Sequence, residues 1–231
     1  MINLTYETFK QEFNTLIGDE WTCLFELNHQ QLNLKNRNIA TKKFKTIIEC
    51  VFALSHHKGF HAMTMRDLSK ASEISMGGLY KYFANKTQIA EMVHTVMVHI
   101  AQSCLQVSHQ SEEDPVFELN ELLARHIYLS ERLKKWFYFV FMEAKSLERP
   151  LVETIIASEQ SMEHAIYQLI KNANQKGMSN CTNPEFVAAM LKVMLQEWYL
   201  KSWKYQQKDI NADQYVANLL LSVYQLLGVK S

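Results

Sequence analysis

Apolar side chains recur every three or four positions through almost the whole of this 231-residue sequence, which is the spacing of one face of an α-helix. The sequence contains 6 glycines and 3 prolines, too few for the many turns of an all-β fold. No segment alternates like a strand, and no segment repeats. We therefore predict an all-α protein of about nine to eleven helices, with clear helical runs near 41–58, 116–128, 131–147, 150–176, 184–207 and 212–227.

The formal net charge of zero conceals an uneven distribution. Residues 1–34 carry one lysine against five carboxylates, whereas residues 35–86 carry ten lysines and arginines against three carboxylates. The remaining 145 residues have 13 basic and 16 acidic side chains. A basic block of about 50 residues favours a nucleic-acid-binding module attached to a body with another task. The alternative is a helical surface that is basic and solvated.

The four cysteines lie far apart, and no two have the spacing of a zinc site. We interpret them as reduced thiols of a cytoplasmic protein. No apolar run approaches the ~18 residues that a membrane span requires, so we expect no membrane partner. The start of the chain, MINLTYETFKQEF, lacks the pattern of a signal peptide.

The stretch from Thr64 to Lys86, TMRDLSKASEISMGGLYKYFANK, predicts two short helices joined by a tight turn. Thr64 is a suitable N-cap for the first helix, with Asp67 at the reciprocal position of a capping box. The turn follows at Glu73, and Ser75 can cap the second helix. Because a longer helix precedes this pair, the pattern indicates a helix-turn-helix, whose second short helix enters the major groove of DNA by its N-terminal end.

This run resembles the signature of TetR-family transcriptional regulators closely from Thr64 to Ile89 and loosely over about 41–100. Two positions depart from that signature: Glu73 occupies the place of the usual turn glycine, and Met76 that of a frequent basic or polar residue. A left-handed glutamate carries a small strain. The residues that match the signature are Leu68, Ser69, Ser75, Gly77, Leu79, Tyr80, Phe83 and Lys86.

The resemblance implies a set of contacts to double-stranded DNA. Glycines near the start of the second helix, Gly77 and Gly78, let the backbone approach the phosphates. Basic residues before the first helix, including Arg37, can reach the DNA backbone or the minor groove. The implied phosphate contacts are Thr64, Tyr80, Tyr82 and Lys86, the implied base or groove contacts are Ser75, Met76, Gly78 and Lys81, and the basic residues before the first helix include Lys42 and Lys43.

Three segments follow from the pattern and the resemblance. Residues 1–40 form an N-terminal helical extension that includes a basic arm at 33–43. Residues 41–86 form the three-helix DNA-binding domain. Residues 87–231 form a larger helical domain for ligand binding and dimerisation. The first 40 residues exceed what the family usually places before its first helix.

The last two long helices are the natural dimer interface, because a helix-turn-helix protein needs two half-sites for useful specificity. Paired across a two-fold axis, they would form a four-helix bundle. The alternative is that these faces pack within the same subunit. The predicted interface residues are Met190, Met194, Trp198, Leu219, Val223 and Leu226.

The body of the chain is rich in aromatic residues and methionine, which can line an apolar ligand cavity or simply fill the core. The resemblance implies a repressor that a small apolar or amphipathic effector, such as a fatty acyl compound, releases from DNA. Glu143 and Arg125 could orient the head group of such an effector or form an ion pair. The predicted pocket residues are Trp136, Phe139, Glu143, Met162 and Trp198.

No catalytic motif is present, so we expect no enzymatic activity and no cofactor. His56, His57 and His61 lie close in sequence but point in different directions on a helix, and we expect no metal site. The competing function is that of a helical interaction protein whose degenerate helix-turn-helix no longer binds DNA. Glu73, Met76 and the acidic extension favour that alternative.

Overall fold

The computed structural model describes residues 3–30, 32, 34–105, 114–143 and 147–229, and within these ranges the protein has eleven α-helices and no strand. The prediction of an all-α fold is confirmed. Residues 144–146 of the predicted run 131–147 lie outside the described residues. The helices are α1 (Tyr6–Leu16), α2 (Glu20–Asn28), α3 (Arg37–Lys58), α4 (Met65–Ser72), α5 (Met76–Leu79), α6 (Lys86–Cys104), α7 (Pro115–Arg132), α8 (Lys134–Glu143), α9 (Arg149–Gln175), α10 (Pro184–Gln206) and α11 (Ala212–Leu227).

The first long helix begins earlier than the sequence pattern predicts. The Asn36 side chain accepts a hydrogen bond from the Ile39 amide at 3.1 Å, and this cap starts α3 at Arg37 instead of residue 41. The basic residues Lys42 and Lys43 therefore lie on exposed positions of α3 and not on an arm that precedes it. The predicted arm is wrong from residue 37 onward, because Asn36 caps a helix whose first turns are mostly polar and lack the apolar stripe of the rest of α3.

The chain divides into two compact units. The helix-turn-helix unit comprises Phe13–Ser103 and Lys135–Ile156. The body unit comprises Met1–Glu12, Cys104–Lys134 and Ala157–Ser231. The narrower division at residues 40 and 86 stays a prediction.

Helix α3 is the central element of the helix-turn-helix unit. Its apolar stripe, which includes Phe44, Ile48 and Val51, is fully buried. Helices α2 and α4 both pack on α3, and α5 packs on α4. Leu68 and Leu79 are buried as well, so α4 and α5 are fixed to the support by their inner faces. This packing leaves their outer faces to the solvent.

The body unit is built on α7, which packs against both α10 and α11. The start of the N-terminal extension belongs to this unit. Tyr128 on α7 donates a hydrogen bond from its hydroxyl to Asp213 Oδ1 at 2.8 Å, and the Tyr6 amide donates to the same oxygen at 2.8 Å. Arg125 Nη1 lies 2.8 Å from Glu12 Oε2, so Arg125 pairs with the extension. None of the described helices is long and apolar enough to cross a membrane.

Candidate DNA-binding surface

The start of α4 is fixed by a reciprocal capping box. The Asp67 amide donates to Thr64 Oγ1 at 3.1 Å, and the Thr64 amide donates to Asp67 Oδ2 at 2.9 Å. Lys58 Nζ, at the end of α3, lies 2.6 Å from the same carboxylate oxygen. Hydrogen bonds from Lys58 and then from Thr64 hold the pKa of Asp67 well below its usual range. Helix α4 therefore begins at a charged cap that is tied to α3.

The turn between α4 and α5 has a left-handed residue, as the family resemblance implies. Glu73 lies at φ 55° and ψ 22°. Two serines hold this turn: Ser69 donates from its hydroxyl to the Ile74 carbonyl at 2.7 Å, and Ser72 donates to the Leu68 carbonyl at 2.7 Å. The turn therefore keeps the geometry of a glycine turn although a glutamate occupies it.

Helix α5 is one turn long, and its outer face is exposed. Ser75 caps it by accepting a hydrogen bond from the Gly78 amide at 3.2 Å. The Tyr80 side chain, at the C-cap, is 52% exposed, and Gly77 and Lys81 are exposed beside it. Met76 is half-buried. The predicted base and phosphate contacts of α5 are thus available at one surface.

The two glycines of α5 have different surroundings. A Cβ atom on Gly78 would lie 2.8 Å from Ile74 Cγ2 and 3.2 Å from Ser75 Oγ, which is closer than side chains tolerate. A Cβ atom on Gly77 would meet nothing within 4 Å. Packing within the chain therefore explains Gly78, whereas no contact within the described residues requires a glycine at position 77.

Two of the predicted phosphate ligands are engaged inside the unit. Tyr82 is half-buried, with its ring edge-on to Phe44 at 5.3 Å, and burial raises the pKa of its hydroxyl. Lys86 Nζ donates to three backbone carbonyls at 2.5–3.2 Å, which use all three protons of the ammonium. The Lys86 ammonium therefore has no proton left to donate to a phosphate. The three carbonyls are those of Phe60, His61 and Met63.

Two basic residues that are not among the predicted contacts are also exposed on the helices of this unit. Arg66 is exposed in the first turn of α4, and Lys45 is exposed on α3 near Lys42. Both belong to the basic block of residues 35–86, and that charge count was the signal that could have identified them. Arg37, by contrast, lies 3.4 Å from Glu26 on α2, so its charge is partly neutralised.

Three of the five predicted pocket residues contact other residues of the helix-turn-helix unit, and two of them are buried in its core. Trp136 and Phe139 are buried, and their ring centroids lie 5.6 and 5.3 Å from that of Phe52. Glu143 Oε2 accepts a hydrogen bond from the Phe60 amide at 3.0 Å. All of these contacts are with protein groups: the aromatic rings pack on one another, and the carboxylate binds a backbone amide.

The other two predicted pocket residues belong to the body unit. Met162 on α9 is half-buried. Trp198 lines an open cleft of about 420 Å³ together with Tyr6, Glu131, Gln206 and residues 209–212. The sequence pattern did not select Tyr6 or Glu131 for a site, because one lies in the extension and the other ends an ordinary helix.

The predicted dimer face is also partly wrong. Trp198, Leu219 and Val223 are buried in the core of the body unit, whereas Met190 and Leu226 are exposed and Met194 is half-buried. Helix α10 is apolar on two sides, so periodicity alone could not separate the core side from the outer side. The large apolar side chains exposed on α10 and α11 are Phe186, Met190, Val193, Trp203, Leu221 and Leu226.

Helices α3, α4 and α5, with a capped positioning helix and an exposed one-turn helix, define a helix-turn-helix protein. The sequence model of the bacterial regulatory proteins of the tetR family matches residues 47–93. This part of the chain is therefore a TetR-family DNA-binding domain, as its resemblance implied. No curated protein sequence matches the chain.

Solved structures of TetR-family regulators share the fold over most of the chain. A tetR-family regulatory protein from Rhodococcus RHA1 is 14% identical and superposes with a TM-score of 0.71, covering 82% of this chain and 99% of its own. The ketosteroid regulator KstR2 of Mycobacterium tuberculosis is 15% identical, with a TM-score of 0.67 over 82% of this chain and 96% of its own. AibR, solved with isovaleryl coenzyme A and operator DNA, is 18% identical, with a TM-score of 0.66 over 81% of this chain and 100% of its own. The chain therefore has the fold of TetR-family transcriptional regulators.

Proposed function

We propose that this protein is a cytoplasmic transcriptional repressor that binds a palindromic operator as a homodimer and is released by a small effector. The observation that carries the proposal is the exposed surface at α5. Gly77, Tyr80 and Lys81 are exposed there, while the inner faces of the helices that hold α5 in place are buried. A helix presented in this way can place its N-terminal residues at base edges while flanking groups hold phosphates. The remaining proposed contacts are Thr64, Ser75, Met76, Gly78, Tyr82, Lys42, Lys43, Lys45 and Arg66.

The dimer would use the outer faces of α10 and α11. Phe186, Met190 and Val193 stand at positions i, i+4 and i+7 of α10 and are all exposed, with Phe186 at 62%. Leu221 is exposed on α11. A self-complementary apolar face of this kind suits a two-fold interface, which would bring two α5 helices to half-sites about one DNA turn apart.

Val193→Glu tests the dimer, because it places a charge in the centre of this face. We expect the variant to elute as a monomer in size-exclusion chromatography with light scattering. Lys171→Glu, an exposed change on α9, is the control and should remain dimeric. A dimeric Val193→Glu protein would contradict the proposed interface.

The effector proposal takes support from the proteins that share the fold. AibR was solved with isovaleryl coenzyme A, KstR2 is described as a ketosteroid regulator, and a fold neighbour from Clostridium perfringens is described as a putative fatty acid metabolism regulator. We propose an apolar or amphipathic effector, with an acyl compound as the first candidate. Such an effector releases DNA to the extent that it binds the non-binding conformation more tightly.

The DNA proposal is tested by fluorescence anisotropy with duplex DNA from around the protein's own gene, titrated against salt. We expect saturable binding that weakens steeply with salt, because each phosphate contact contributes about 0.9 to the slope of log K against log salt. Tyr80→Ala and Lys81→Ala should each weaken binding about 5- to 150-fold, as expected for the loss of about 1–3 kcal/mol per contact, whereas Lys171→Ala should not. Binding that is weak, independent of sequence and unchanged by both α5 variants would refute the proposal.

The alternative, a helical interaction protein with a degenerate helix-turn-helix, has one observation in its favour: Glu26 pairs with Arg37 and lowers the positive charge of α3. Glu26→Gln separates the two functions. If the extension inhibits DNA binding, this variant should bind DNA more tightly. Deletion of residues 1–34 would be a less clean test, because Phe9, Phe13 and Leu24 are buried and their loss should lower stability.

A further inference from the structure

The surface around α5 offers a restricted set of side chains to a DNA base. Residues 74–84, ISMGGLYKYFA, contain no aspartate, glutamate, asparagine or glutamine. The nearest carboxylate before them is that of Glu73, which belongs to the turn and precedes the cap of α5. The surface therefore carries a cation, hydroxyl groups and an apolar side chain, but no carboxylate and no carboxamide. Its exposed or half-buried residues are Ser75, Met76, Gly77, Tyr80 and Lys81.

These side chains suit two of the four bases. In the major groove, carboxamides usually recognise adenine and carboxylates recognise the amino group of cytosine. A lysine donates to the O6 and N7 atoms of guanine, and an apolar side chain contacts the methyl group of thymine. Lys81 and Met76 belong to the second pair of cases. The surface of α5 therefore favours guanine and thymine, and it lacks the usual partners of adenine and cytosine.

Lys81 can lie along the outermost line of this surface. The Phe83 amide donates to the Leu79 carbonyl at 3.0 Å, so the helical turn continues past the end of α5. Lys81 therefore lies one turn after Gly77, and a helical side chain leans back over the residue four positions earlier. A Cβ atom on Gly77 would meet nothing within 4 Å, so the space over this glycine is open to the aliphatic part of Lys81. The lysine can thus carry its ammonium towards the groove.

Met76 is the first residue of α5, at the end of the helix that lies nearest the bases in a helix-turn-helix. Leu79, three positions later, is fully buried, and Met76 shares part of that side and is half-buried. The rest of its side chain is accessible. Because a thioether is only a weak acceptor and has no proton to donate, its contact with a base edge is apolar.

We propose that α5 recognises one guanine and one thymine in each half-site of the operator. Lys81 donates to guanine O6 and N7, and Met76 packs on the 5-methyl group of thymine. This inference rests on the proposed DNA-binding function and extends it, because it assigns the chemical features of the bases that the protein selects.

The experiment begins with the full chain and a pool of duplexes of random sequence, from which bound duplexes are selected until a half-site is defined. Two single-atom-scale changes are then made in the selected duplex, one position at a time. Uracil in place of thymine removes only the methyl group, and 7-deazaguanine in place of guanine removes the N7 acceptor. Fluorescence anisotropy gives the Kd for each duplex.

We expect one thymine in the half-site at which uracil weakens binding about fourfold, which corresponds to one buried methyl group. We expect one guanine at which 7-deazaguanine weakens binding about tenfold or more, because a charge-assisted hydrogen bond is lost. The same changes at bases outside the half-site should have no effect.

The variants must show a crosswise pattern. Met76→Ala should bind the thymine and uracil duplexes equally and remain sensitive to 7-deazaguanine. Lys81→Ala should lose the sensitivity to 7-deazaguanine and remain sensitive to uracil. Misfolding cannot produce this pattern, because each variant keeps one of the two sensitivities. Glu73→Gln, outside α5, is the matched control and should keep both.

The outcomes separate this inference from the proposed function. A defined half-site that tolerates both modified bases would overturn the inference and leave DNA binding intact. Sensitivities that persist unchanged in Met76→Ala and Lys81→Ala would do the same. Failure to select any sequence would overturn the inference together with the proposed function.

Discussion

The paired glycines of α5 allow the roles of folding and DNA binding to be separated by two substitutions one residue apart. Gly78→Ala places a Cβ atom 2.8 Å from Ile74 Cγ2 and 3.2 Å from Ser75 Oγ. The branched Ile74 side chain is buried and cannot easily move away. Overpacking of this kind costs about 1–3 kcal/mol, and here it also displaces the serine that caps α5. We expect a loss of unfolding free energy in that range.

Gly77→Ala should have the opposite effect on stability. Its Cβ atom would meet nothing within 4 Å, and alanine is favoured over glycine in a helix by about 0.5–1 kcal/mol. The unfolding free energy should therefore stay the same or rise slightly. If α5 enters the major groove with Gly77 against the DNA, the added methyl group must be accommodated in that interface. A similar overpacking cost of about 1–3 kcal/mol corresponds to roughly a 5- to 150-fold rise in Kd.

The assay pairs urea denaturation at pH 7.5 with anisotropy measurements on the operator duplex. The expected pattern is a stable Gly77→Ala protein with weakened DNA binding and a destabilised Gly78→Ala protein. Loss of the serine cap cannot explain weaker DNA binding by Gly77→Ala, because the amide that donates to the Ser75 side chain is that of Gly78 and not that of Gly77. If Gly77→Ala bound DNA as tightly as the original protein, the assignment of Gly77 to the DNA interface would be wrong.

Three other predictions concern stability. Glu73→Gly should raise the unfolding free energy by about 0.5–1 kcal/mol, because it removes the cost of a left-handed side chain. The greater flexibility of the unfolded glycine chain offsets part of this gain. A lower unfolding free energy, measured by urea denaturation, would contradict the prediction. Lys86→Met should lower the unfolding free energy by about 2–3 kcal/mol, because three carbonyls lose a charged donor. The exposed Lys81→Met should change the unfolding free energy by less than about 0.5 kcal/mol. His126 is buried on α7, and burial, followed by the charge of Lys192, holds its pKa well below the usual value. The folded protein then binds fewer protons than the unfolded chain below about pH 6.5, so stability should fall by up to about 1.4 kcal/mol per pH unit as the pH drops below that value, with a smaller slope in His126→Leu.

The helix-turn-helix could be predicted from the sequence in detail because its signals are local. Thr64 and Ser75 are caps whose partners lie three residues away, and both caps are present in the structure. The left-handed turn at Glu73 is implied by the family resemblance, because Glu73 occupies the place of the usual turn glycine. Short-range hydrogen bonds and turn geometry depend on neighbours in the chain, so a single sequence can reveal them.

The pocket and the dimer face could not be predicted in the same way, because they depend on which of several apolar faces meets which neighbour. Trp198 was assigned to both and is in fact a buried residue at the edge of a cleft. Lys86 matched the phosphate contact of its family signature, but its ammonium is engaged by carbonyls 23 to 26 residues earlier in the chain. Contacts between residues so far apart in the sequence do not produce a periodic pattern that could predict them.

The Lys86 contacts also determine how a signal could reach the DNA. Lys86 is the first residue of α6, and its ammonium binds the loop that joins α3 to α4. The beginning of α6 is thereby clamped to the connection between the other two helices of the helix-turn-helix support. We therefore expect a displacement of this end of α6 to move α3 and α4 together with it. Regulation would then change the position or tilt of the helix-turn-helix as a whole. The arrangement of α3, α4 and α5 within it would stay the same in both states.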